Sequence, residues 1–197
     1  MITENKHITN CYNSISLFFD AFDLQHAYRY IQQSLLAAGS HGVWAGKYPA
    51  DLIHFFHRFE VLLDALIEIA GCKCKRQNAV IKPEDKKQLP DIKNSRLFCS
   101  PYHEYESWHY LPRHLSAGEF FNPYKALKRL TPHIEDTGEL LNSILHYALC
   151  GESLADEGMD TLQLNLMLQK LLEAAHLLYV RMAITGNDTT TDDGEME

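Results

Sequence analysis

Apolar residues recur at intervals of three and four in several stretches of the chain, the spacing that lines one face of an α-helix. In residues 22–39 the stripe is Leu24, Ala27, Tyr28, Ile31, Leu35 and Ala38. Asp23 offers a carboxylate to the free N–H groups of a first turn, and Gly39 suits the stop. Residues 15–19 either extend this helix upstream or form a short one before it. After a glycine-punctuated loop over 40–47, Pro49 pre-sets the first turn of a second helix that Gly71 ends. Its wide stripe runs from Leu52 through Phe55, Phe59 and Leu66 to Ile69, with His57, Glu60, Asp64 and Glu68 on the opposite side.

Regular structure resumes at Ser116-Ala-Gly-Glu119, a capping-box pattern that predicts a short helix at 117–121. Asn122-Pro123 and Thr131-Pro132 each set a capping residue before a proline. They predict a helix at 123–130 and a longer one from Pro132 to Cys150, closed by Gly151. A final helix spans about residues 160–185, with Gly186 as its stop. Its polar face (Asn165, Gln169, Glu173, His176) is narrow, so it should lie centrally with neighbours on several sides.

Between these halves, residues 72–115 break the pattern. They hold four of the seven prolines and most of the lysines. The segment reads as an irregular insert, with short helices near 83–88 and 104–109 and room for a short strand around 78–81. So long an irregular stretch is more often functional than filler. The fold class that follows is all-α: an antiparallel bundle of about four main helices, a single domain over 1–186, with a basic, aromatic-rich insert between the second and third. Residues 187–197, acidic and nearly free of large apolar groups, read as a frayed tail.

Composition adds class and compartment. The chain has 197 residues, 46% of them hydrophobic and 11% aromatic, the usage of a globular protein. The polar start leads us to expect no export signal, and polar groups interrupt the most apolar run, so no membrane span is expected either. Five scattered cysteines fit free thiols in a reducing cytoplasm. The net charge of −8 is uneven. Residues 72–132 carry twelve basic against six acidic groups, whereas 133–197 carry two against thirteen. The first expectation is that the basic middle packs against the acidic ends.

Chemical motifs are sparse: no phosphate loop, nucleophile elbow, dinucleotide fingerprint or paired Cys-x-x-Cys occurs. Three groups of residues stand out. His54, His57 and Glu60, spaced at single turns of the second helix, could ligate one metal if another helix completed the set, with His26 and His176 as contributors. A solvated polar stripe explains the same residues without a metal. Trp108, Tyr110, Arg113 and His114 interleave aromatic and cationic groups, the chemistry of binding hot spots and of base stacking. Lys73, Lys75 and Arg76 open a basic run suited to phosphates. The expectation is therefore a cytoplasmic helical protein without cofactor, acting on a protein partner or a second copy of itself. The alternatives are a nucleic-acid-associated regulator using the insert, and a metal-dependent enzyme built on His54, His57 and Glu60.

Overall fold

The structure, a computed structural model, describes residues 2–72, 80 and 112–186, without the side chains of residues 2–6 and 182–186. The expected tail, the short helices and strand of the insert, and Lys73, Lys75, Arg76, Trp108 and Tyr110 lie outside the described residues. Among those described, all regular structure is helical. There are seven α-helices: α1 (Ile2–Ala21), α2 (Leu24–Ala38), α3 (Pro49–Gly71), α4 (Ala117–Phe121), α5 (Tyr124–Leu130), α6 (Thr137–Cys150) and α7 (Thr161–Gly186). No helix among the described residues is long and apolar enough to cross a membrane.

Local chemistry explains most of the boundaries. Asp23 caps α2 by accepting a hydrogen bond from the His26 backbone N–H at 2.7 Å. Ser116 and Glu119 form the expected capping box, each side chain taking the other residue's backbone N–H. Asp160 receives the N–H groups of Leu162 and Gln163 at the start of α7. Two boundaries differ from expectation. The first stretch is a separate twenty-residue helix, α1, whose buried side is Ile8, Cys11, Tyr12, Ile15, Phe18 and Phe19. Pro132 opens only a single 3-10 turn (Thr131–His133), and α6 starts later, where the Asp136 carboxylate accepts the Glu139 N–H at 2.8 Å. The expected cap at Asn122 is not used: its buried Oδ1 has no hydrogen-bond partner among the described residues.

The buried side chains form one continuous cluster drawn from α1, α2, α3, α5, α6 and α7. Helix α3 packs on α1, α5 and α6, while α2 packs on α6 and α7. The rings of Phe18, Phe55 and Phe59, with the partly buried Phe22 and Tyr30, stack, tilt and meet edge-on with centroids 4.8–6.2 Å apart. Such pairs add to the burial of their area because ring edges are positive and faces negative. Helix α7 is mostly buried from Leu168 to Arg181, while Leu162 and Leu166 near its start are exposed; on its narrow polar face Gln169, Glu173 and His176 are buried and Asn165 is half-buried, and Arg181 is buried as well.

Candidate functional site

An inward polar face must be satisfied, since a buried carboxylate without partners costs several kcal/mol. Glu173, whose side chain is fully buried, collects donors from two directions. From α2, the Tyr28 hydroxyl donates to Oε1 at 2.5 Å. From the segment that ends the insert, the backbone N–H of Arg113 donates to Oε1 at 2.7 Å and that of Leu115 to Oε2 at 3.0 Å. The His114 N–H lies within reach of both oxygens, and its ring Nδ1 is 2.8 Å from Oε1. Three successive amides converging on an anion make a nest of the kind that binds anions elsewhere. Here the anion is intramolecular, and it fixes where the chain returns from the insert.

Burial sets the chemistry of the polar groups in and around this network. Burial first, and then the Glu173 charge, push the Tyr28 phenol far above its ordinary range, so Tyr28 is a permanent donor. Burial pulls His176, three residues along α7, down to about 3 and keeps it neutral against the rings of Phe19 and Tyr179. Burial also lowers Arg181 to about 10, which leaves it charged at neutral pH. Its guanidinium donates to the Phe120 carbonyl at 2.8 Å and sits over the Phe120 ring.

Above Glu173 a surface cavity of about 290 Å³ opens between α2, α7 and the returning segment. It is lined by Gln25, Tyr28, Arg29, Gln32, Arg113, His114 and Gln169. Gln25, Arg29 and Gln32 come from one face of α2, at spacings of four and three. Neither Arg29 nor Arg113 forms an ion pair with a carboxylate among the described residues. Two guanidiniums, an imidazole and three carboxamides thus line one concave surface. A guanidinium offers a fork of N–H donors that matches a carboxylate or phosphate, and a carboxamide offers both a donor and an acceptor.

Of the residues picked out in the sequence, Arg113 and His114 come together here. His54, His57 and Glu60 do not bring their ligand atoms into a common cluster. The His54 ring lies 5.8 Å from that of Phe22, and the Glu60 carboxylate lies beside Gly138 of α6. Of the suggested contributors, His26 pairs with Asp23 at 2.7 Å, and His176 is in the core. Sequence reasoning missed Gln25, Arg29 and Gln32, although their spacing marks a polar stripe on a helix whose other face is apolar. It also missed the role of Glu173, whose signal was an acid in an otherwise apolar helix.

A second, larger depression of about 500 Å³ lies between α5, α6 and the start of α7, with Leu130, Leu140, Leu164 and Met167 in its lining. Leu162 and Leu166 stand exposed nearby, at 76% and 42%. In comparisons with known proteins, no family model, curated protein or solved structure matches this chain.

Proposed function

We propose that this chain is a non-enzymatic, cytoplasmic binding protein that acts through contact with an acidic segment of a protein partner. In this reading residues 1–186 form one domain, an antiparallel bundle of about four main helices, and the 72–115 insert contributes its C-terminal end to the contact. The observation that carries the reading is the pairing of Arg29 and Arg113, without carboxylate partners among the described residues, on one polar cavity. The guanidiniums suit acidic side chains, and the carboxamides of Gln25, Gln32 and Gln169 suit the N–H and C=O groups of a peptide backbone.

The excess of basic groups over 72–132 favours a second reading, binding of nucleic acid. Among the described lining residues, however, Tyr28 is buried and committed to Glu173 and the His114 ring is held against the same carboxylate, which favours a peptide over stacked bases at this cavity. A metal-dependent site on His54, His57 and Glu60 is the third reading, and it requires further ligands from another element.

Calorimetric titration with a glutamate-rich peptide, in parallel with a single-stranded oligonucleotide, separates the first two. The expected result is saturable peptide binding that weakens about tenfold or more for each of Arg29→Ala and Arg113→Ala. Tight oligonucleotide binding with a steep salt dependence, unchanged in both variants, would contradict it.

A further inference from the structure

The opposite sign of charge gathers at the C-terminal end of α6. His146 and Cys150 are four residues apart and so share one face of the helix. Gly151 follows in the left-handed conformation, φ 76° and ψ 10°, and turns the chain so that Glu152 comes back over that face. The result is that an imidazole nitrogen, the Cys150 sulfur and a Glu152 carboxylate oxygen all lie within 4.8 Å of one another, and all three residues are exposed. Among the described residues this is the one such group of His, Cys and carboxylate ligands.

The surroundings favour a cation independently of that geometry. From His133 to Gln169 the chain contains no lysine or arginine, and the segment that follows Cys150 carries Glu152, Asp156, Glu157 and Asp160. The last turn of a helix presents the negative end of its dipole. His41 and Asp156 pair at 3.4 Å.

We infer that His146, Cys150 and Glu152 form a binding site for a borderline divalent transition ion of the Zn²⁺ class. The donor set selects that class: thiolate and imidazole together disfavour Mg²⁺ and Ca²⁺, which take oxygen ligands. Tetrahedral Zn²⁺ with bonds of about 2.0–2.3 Å sets its ligand atoms roughly 3.3–3.8 Å apart. The three groups therefore need to close by about an ångström, within the reach of rotamer adjustment by exposed side chains. Binding displaces the Cys150 thiol proton to solvent, and the fourth position faces water. The site is separate from the polar cavity and does not depend on what that cavity binds.

The test is Co²⁺ titration of the reduced, untagged full chain, followed by displacement with Zn²⁺. Wild type should show a thiolate-to-cobalt charge-transfer band, lost on adding Zn²⁺, with one more equivalent bound than in Cys150→Ser. Zn²⁺ should bind at least about tenfold more weakly to His146→Ala and to Glu152→Ala. All three side chains are exposed, so the variants should keep the wild-type circular dichroism. A wild-type chain without the band, an equal band in Cys150→Ser, or unaltered Zn²⁺ affinity in His146→Ala would each overturn the inference.

Discussion

Glu173 shows how one buried charge can organise a structure. Its oxygens take three backbone amides, a phenol and an imidazole nitrogen, so its desolvation is offset by donors from two separate parts of the chain. Removing it leaves those amides unpaired as well as deleting contacts. Glu173→Ala should therefore cost about 3–5 kcal/mol by urea denaturation, and Glu173→Gln should recover part of that by retaining one oxygen. A loss below about 1 kcal/mol would mean the amides find other partners. Three residues further on, His176 carries a pH dependence whose sign follows from burial. Its folded pKa of about 3 lies below the ordinary 6.5, so the unfolded chain takes up a proton the fold resists. The stabilisation is complete above pH 6.5 and is lost as pH falls from 6.5 towards 3, by at most about 1.4 kcal/mol per pH unit. Denaturation midpoints should fall less steeply on acidification in His176→Phe than in wild type. Equal slopes would place the titration elsewhere.

At the scale of elements, the boundaries the sequence predicts well are those where a single short-range device decides. Pro49 and Gly71 bracket α3 as expected, and the Ser116–Glu119 box opens α4. Helix α1 was harder to read because its buried stripe uses Cys11 and Tyr12, residues of modest helix propensity, and its solvent side is rich in Thr, Asn and Ser. The start of α6 was read too early because two devices compete. Pro132 suits a first turn, but the chain turns again before Asp136, whose side chain caps the helix. Asp136→Ala should accordingly destabilise the protein by about 1 kcal/mol and speed amide exchange in the first turn of α6. A neutral effect would move the functional start of that helix back to Pro132.

At the scale of the whole molecule, the candidate site joins three parts of the chain that are far apart in sequence. Gln25, Tyr28, Arg29 and Gln32 come from α2, Arg113 and His114 from the returning segment, and Gln169 from α7. Gln25, Arg29, Gln32 and Gln169 are polar positions on helices and Arg113 and His114 close the insert, whereas Tyr28 falls on the apolar stripe of α2. That they meet depends on α2 packing against α7 and on Glu173 holding residues 113–115, neither of which periodicity can show. The charge asymmetry was fully legible, and it has a partial counterpart in the contrast between the guanidinium-lined cavity and the acidic end of α6. In the proposed contact Arg29 and Arg113 together receive an anionic group from a peptide partner. Arginine side-chain Nε–Hε signals, followed by NMR during titration with a glutamate-rich peptide, test it most directly. The resonances of Arg29 and Arg113 should shift together and saturate at one equivalent, while that of Arg58 stays in place. Saturable binding that leaves both unmoved would contradict it.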